Sequence, residues 1–249
     1  MVNFKEFYQE NANVAYMVMG YPNLEESEKF LNSLDQSSID ILEIGIPYSD
    51  PISDGRIISE AALQALNQGT SIHEVFKILE NVSTSKTLVF LVYYNLIFSY
   101  GIKAFVEKAK SAGIKGLIVP ELPFEENEEL FIECQKQGIA LIALISITTP
   151  EERIKQILTR TSGFIYAVAS IGITGGEKLA EQRLQSLIEK IRKYTKLPIF
   201  AGFGIKNNED VKKIRKIADG VIVGTSIVAL FKDKKDQELL DEIEQIFKK

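Results

Sequence analysis

Apolar residues fall along this chain in short unbroken runs separated by longer amphipathic stretches. The runs occupy residues 14–19, 39–45, 88–93, 116–119, 140–147, 164–169, 198–201 and 220–223, and they are rich in Val, Ile, Leu and Tyr. Each is too short for a helix. Continuous rather than alternating apolar character suits parallel strands covered on both faces. The stretches between them repeat at helical spacing. Residues 101–113 place Ile102, Phe105, Val106, Ala109 and Ala112 on one side. Thr149-Pro150-Glu151-Glu152 reads as a capping box with its proline, Ser71-Ile72-His73-Glu74 repeats the box, and Asn23 and Asn207 open looser versions. Eight strands each followed by a helix predict an α/β chain folded as one (β/α)8 TIM barrel over residues 1–249, with extra helices. The competing arrangement is a doubly wound open sheet, but the first strand-to-helix turn, Gly20-Tyr21-Pro22, lacks a dinucleotide fingerprint. About forty residues separate the second and third runs, room for a loop, an extra helix over 58–67 and the regular helix over 72–82. An amphipathic segment at 238–249 is expected to close the barrel.

The totals narrow the chemistry. Lys plus Arg is 29 against 34 for Asp plus Glu, a net charge of −5, and no basic block stands out, so a nucleic-acid surface is not expected. The lysines of residues 206–216 interleave with acids and apolar residues and read as a solvated helix face. No apolar run approaches the roughly 20 residues of a membrane span, and Met1-Val2-Asn3-Phe4-Lys5-Glu6-Phe7 lacks a signal-peptide core, so the expected location is the cytoplasm. One cysteine, Cys134, and one histidine, His73, exclude a disulfide framework and leave little for a metal site; both read as structural or surface residues.

In a barrel of this kind the active site forms at the carboxyl ends of the strands. Those ends carry Glu43 inside an apolar run, Asp54 in the loop that follows, Tyr93, and Tyr166 nearby. A carboxylate among apolar side chains is costly unless paired or neutralised, a cost often met where the group does chemistry. Taken alone, Glu43 is equally a core glutamate paired with Lys or Arg, and Asp54 alone is a turn residue. The last three strand ends, Gly172-Ile173-Thr174-Gly175-Gly176, Gly202-Phe203-Gly204 and Gly224-Thr225-Ser226, are glycine-rich. They predict phosphate binding, with a short helix after Gly224 pointing its N-terminus at the anion. No Lys stands at a strand end except Lys206, just beyond the seventh, so Schiff-base chemistry is not expected.

The segment Glu43-Ile44-Gly45-Ile46-Pro47-Tyr48-Ser49-Asp50-Pro51-Ile52-Ser53-Asp54-Gly55 closely resembles the signature of the tryptophan synthase alpha subunit family. Gly20-Tyr21-Pro22, Tyr94-Asn95 with Phe98 and Gly101, Pro120-Glu121-Leu122-Pro123, Gly172-Ile173-Thr174-Gly175, Gly202-Phe203-Gly204-Ile205 and Gly224-Thr225-Ser226-Ile227-Val228 match in order. The resemblance implies a cofactor-free retro-aldol cleavage of indole-3-glycerol phosphate to indole and glyceraldehyde 3-phosphate. It implies Glu43 as general acid/base and Asp54 as its catalytic partner. Tyr16, Leu91, Tyr93, Ile118, Tyr166, Thr174 and Phe203 would bind the substrate, and Gly175, Gly204, Gly224 and Thr225 the phosphate. Pro47, Asp50, Asn95, Phe98 and Pro123 would meet a beta subunit in an alpha-beta-beta-alpha complex, and that subunit would carry the pyridoxal phosphate and make L-tryptophan. No metal is implied. Two positions depart from the family pattern: Arg56 stands where Pro is usual, and Ser170 where Arg is usual. Arg56 is the candidate to restore a loop contact that Ser170 cannot make. The rival readings are another phosphate-binding barrel of the same pathway, which lacks its strand-end Lys or Cys here, and a non-catalytic barrel retained to activate the beta subunit.

Overall fold

The computed structural model describes residues 2–8, 10–52, 54–168, 176–202 and 204–249, with backbone alone at 176–178. Eight parallel strands close on themselves in sequence order, which settles the choice against an open sheet. They are β1 (Ala12–Val18), β2 (Ile41–Gly45), β3 (Thr87–Leu91), β4 (Ile114–Ile118), β5 (Ala140–Ser146), β6 (Ile165–Val168), β7 (Ile199–Gly202) and β8 (Gly220–Val223). Around them run α1 (Leu24–Ser33), α2 (Arg56–Asn67), α3 (Ile72–Leu79), α4 (Tyr94–Tyr100), α5 (Ile102–Ser111), α6 (Glu128–Gln137), α7 (Glu151–Leu158), α8 (Gly176–Arg192), α9 (Asn208–Ile214), α10 (Thr225–Leu230) and α11 (Asp236–Phe247).

The unbroken apolar runs have a simple cause: both faces of each strand are covered. Alternate residues point outward, where Leu42, Ile44, Phe90 and Leu117 pack beneath the helices, and inward, where Val14, Ile41, Val89, Ile118, Ile142, Phe200 and Ile222 fill the barrel. Phe4, in a 3-10 turn before β1, is fully buried in that inner layer against Phe164 at 5.7 Å. Backbone hydrogen bonds from Phe4 N to Gly163 O and Gly163 N to Val2 O fasten it there.

Helix boundaries followed the caps with one exception. The side chains of Ser71, Asn23 and Asn207 accept from the N–H groups of Glu74, Glu26 and Asp210. Thr149 does not cap α7. Its Oγ1 accepts from Ser146 N at 3.1 Å, closing the turn after β5, and the helix starts one residue late with Pro150 as N-cap. The helix over 94–100 has no counterpart in the sequence reading. It is short and aromatic, and Gly101, at φ 92°, separates it from α5. α11 closes the barrel's side as expected, burying Leu239, Leu240, Ile243 and Phe247 against α1, α9 and α10. Among the described residues no helix is long and apolar enough to cross a membrane.

Candidate active site

Glu43 lies on β2 in register with Tyr16 of β1 and Val89 of β3. Two residues beyond the inward Ile41, it points into the barrel and is 1% exposed. Its Oε1 has no hydrogen-bond partner, and among the described residues no Lys or Arg pairs with it. The paired core glutamate is therefore not what the fold builds. Burial, with the negative charge of Asp54 adding, pushes the Glu43 carboxyl up to about 8. Asp54 reaches the same space from the loop between β2 and α2. Ser59 Oγ donates to its carbonyl at 3.3 Å. Burial raises its carboxyl too, and a hydrogen bond from the Tyr93 hydroxyl pulls it back.

Two tyrosines flank the acids, and two glycines make room for them. A Cβ on Gly45 would stand 2.2 Å from the Tyr16 hydroxyl oxygen, and one on Gly202 would stand 2.8 Å from that of Tyr166. Neither distance is physically possible without displacement. Gly202 thus serves side-chain packing, a role beyond the phosphate approach its glycine-rich stretch suggested. Burial raises both phenols well above their ordinary value, followed by the charges of Asp54 and Glu43 at Tyr16 and of Glu43 at Tyr166, so both hydroxyls stay protonated.

These groups meet at a cavity of about 300 Å³ over the carboxyl ends of the strands. Glu43, Asp54, Tyr16, Tyr166 and Thr225 supply its polar lining; Leu91, Ile58, Pro120, Leu144, Val168, Ile205 and Ile222 make most of the rest apolar. Gly204, at φ 75°, and Gly224 lie at its edge beside Thr225, the first residue of α10. Ser226 Oγ donates to Ile205 O at 2.9 Å, tying α10 to the loop after β7.

Of the site residues read from the sequence, the fold gathers Tyr16, Glu43, Asp54, Leu91, Tyr166, Gly204, Gly224 and Thr225 around this cavity. Ile118 is fully buried in the inner layer and does not line it, and Tyr93 stands behind Asp54. Thr174, Gly175 and Phe203, with Ser170, lie outside the described residues. Ile58, Leu144 and Ile222 were missed. Leu144 and Ile222 occupy inward positions near strand ends, a signal that counting by twos along β5 and β8 provides. Asp50 and Pro123 are exposed on the loops after β2 and β4, and Asn95 and Phe98 are exposed on α4 after β3, whereas Pro47 is buried. Arg56 pairs with Glu60 at 2.6 Å on its own helix; the loop contact suggested for it involves the stretch around Ser170, which lies outside the described residues. His73 is exposed beside Tyr100; Cys134 is buried, its thiol pushed up to about 12. Among the described residues no cluster of His, Cys, Asp or Glu could hold a metal.

The model of the family described as tryptophan synthase alpha chain matches residues 4–248. A tryptophan synthase alpha chain from Campylobacter jejuni subsp. doylei is 61% identical over 249 residues, 100% of both chains. One from Methanocaldococcus jannaschii is 45% identical over 92% of this chain and 82% of its own. A solved tryptophan synthase subunit alpha from Campylobacter jejuni superposes with a TM-score of 0.95 at 60% identity, covering 99% of this chain and 100% of that one. A chain of the tryptophan synthase complex from Pyrococcus furiosus reaches 0.84 at 29% identity, covering 96% and 98%. With Glu43 and Asp54 converging on one cavity at the strand ends, these matches place the chain in the tryptophan synthase alpha chain family.

Proposed function

We propose that Glu43 and Asp54 carry the retro-aldol cleavage of indole-3-glycerol phosphate to indole and glyceraldehyde 3-phosphate, the reaction of this family, with the indole passed to a beta subunit. The observation that carries the assignment is the buried, unpaired Glu43 facing the same cavity as Asp54. Splitting the bond between indole C3 and the glycerol chain needs a proton on C3, because an indole carbanion is a poor leaving group. It also needs the proton of the adjacent hydroxyl removed. A carboxyl held near pH 8 is protonated at neutrality and gives its proton to C3. The ring nitrogen becomes cationic, and ionised Asp54 accepts a hydrogen bond from that N–H. The Glu43 carboxylate then takes the hydroxyl proton as the C–C bond breaks; the bonding pair returns to the ring, and the hydroxyl carbon becomes the aldehyde. Glu43 ends protonated as it began, so one carboxyl serves both transfers and no cofactor in this chain enters the balance.

Tyr16, Leu91 and Tyr166 would flank the indole, and Gly204, Gly224 and Thr225 the phosphate. Asp50, Asn95, Phe98 and Pro123, with Pro47 fixing the loop, would face the beta subunit, to which the pyridoxal phosphate is assigned. Cytoplasmic residence and a single barrel domain fit this reading. The test is indole release from indole-3-glycerol phosphate by the isolated chain, with and without a beta subunit. Glu43→Gln and Asp54→Asn should each fold normally and lose about 10²–10⁴ in rate. Near-parental turnover in either, with circular dichroism unchanged, would leave the non-catalytic barrel as the better account.

A further inference from the structure

Tyr93 is where the loops after β2 and β3 meet the catalytic carboxylates. It directly precedes α4 and is 3% exposed. One ring face is covered by Tyr48 of the β2 loop, stacked with centroids 4.8 Å apart and planes 23° from parallel. Its hydroxyl donates to the Asp54 carboxylate. The next peptide N–H, that of Tyr94, donates to Glu121 Oε1 at the end of β4. A residue that walls a ligand slot shows its ring to the cavity; Tyr93 is absent from the lining and shows its ring to Tyr48.

We propose that Tyr93 is a positioning residue, which holds Asp54 ionised and aimed into the cavity and is itself held by Tyr48 and by the Glu121 clasp on Tyr94. The proposal rests on Asp54 being the group that meets the indole N–H. Asp54 needs such help. The groups that face it among the described residues are Glu43 from β2, Tyr16 from β1 and Tyr93, with Tyr166 of β6 beyond them, and none is a cation. Burial disfavours its charge; a donated O–H is what favours it. Because Tyr48 sits between Pro47 and Asp50, movement of that loop would be felt at Asp54 through the ring stack.

The test compares Tyr93→Phe, Tyr48→Leu and Tyr93→Phe in the Asp54→Asn background, with the full chain and the beta subunit present. Tyr93→Phe keeps the ring and its stack. It should lower kcat roughly 10–100-fold, the range a charge-assisted hydrogen bond commands, with KM within about twofold. The acidic limb of the kcat profile should move to higher pH. Tyr48→Leu should move it the same way by less. In the Asp54→Asn background, Tyr93→Phe should cost almost nothing more. A raised KM with the acidic limb unmoved makes Tyr93 a wall of the indole slot and overturns the proposal, as does an undiminished cost in the Asp54→Asn background. A readout independent of turnover separates this from the assignment of the reaction: the Asp54 carboxyl carbon, followed by ¹³C NMR, should titrate at higher pH in Tyr93→Phe. An unchanged titration overturns the positioning role even in a chain that cleaves its substrate normally.

Discussion

At the scale of single residues, Glu43 ties the chemistry to the stability of the protein. Its carboxyl is held at about 8 against an ordinary 4.5, so the folded chain keeps a proton that the unfolded chain releases. Stability therefore falls as pH rises from about 4.5 to about 8 and levels off beyond, by up to roughly 5 kcal/mol at full ionisation. Glu43→Gln removes that slope. The variant should gain stability relative to the parent between pH 5.5 and pH 8, read as diverging urea midpoints; parallel midpoints would show that Glu43 is not held protonated. The same proton predicts an alkaline limb near pH 8 in the kcat/KM profile, and Asp54→Asn, by removing a neighbouring negative charge, should move that limb to lower pH in whatever activity remains. Glu43 and Asp54 were legible because a carboxylate in an apolar run, and its wording with the loop beyond, are unusual. The work of Gly45 and Gly202 was not legible, since nothing local says that a tyrosine hydroxyl from a neighbouring strand occupies the place of a Cβ.

Elements were legible wherever one local force sets them. Two-sided burial gave the strands, and side-chain caps gave the starts of α1, α3 and α9. α4 was not, because seven residues ending at a left-handed glycine carry too little periodicity to be seen. Arg56 shows how an element absorbs a departure from the family pattern. It is the first residue of α2, where proline is favoured, and Gly55 before it is extended at φ −72° and ψ 166°, as a residue preceding proline must be. Arg56→Pro should be tolerated and raise stability by about 0.4–1 kcal/mol through the unfolded chain, since the Arg56–Glu60 pair it removes is exposed and screened by solvent. Calorimetry checks it; a clear loss of stability would mean that the α2 start is not proline-compatible. At the other glycine-rich end, Gly224 offers a clean probe of the phosphate. A Cβ there meets Tyr16 at 3.7 Å and Ile58 at 3.9 Å, ordinary contacts, whereas Gly204 sits at a φ that strains any side chain. Gly224→Ala should raise KM for the phosphorylated substrate and leave cleavage of non-phosphorylated indole glycerol much less affected. Equal losses on both would move the phosphate elsewhere.

At the scale of the whole molecule, the remaining question is how a barrel this well packed leaves large apolar side chains in water. Ile52 is 74% exposed and Phe98 is 66% exposed. Ile52 comes from the loop after β2 and Phe98 from α4, which follows β3; the same strand ends hold Glu43 and Tyr93. Single exposed apolar residues need no explanation, but these two share the face with Asp50, Asn95 and Pro123, where the beta subunit is expected. The sequence placed that face only through the family wording; composition and periodicity are blind to it, because exposure is decided by tertiary packing. A buried aromatic anchor at an interface commonly contributes about 2 kcal/mol or more, roughly thirtyfold in affinity. Phe98→Ala should therefore raise, by about that factor, the concentration of beta subunit that half-maximally stimulates indole release. The saturated rate should change much less, since Phe98 lines no part of the cavity. Ile52→Ser should act in the same direction. If half-saturation is unmoved in both variants, the partner docks on another face, and the Tyr48–Tyr93 stack then reports only on the free subunit. If saturation needs more partner and the acidic limb also shifts as the partner is withdrawn, the docking face and Asp54 are coupled through the residues that separate them.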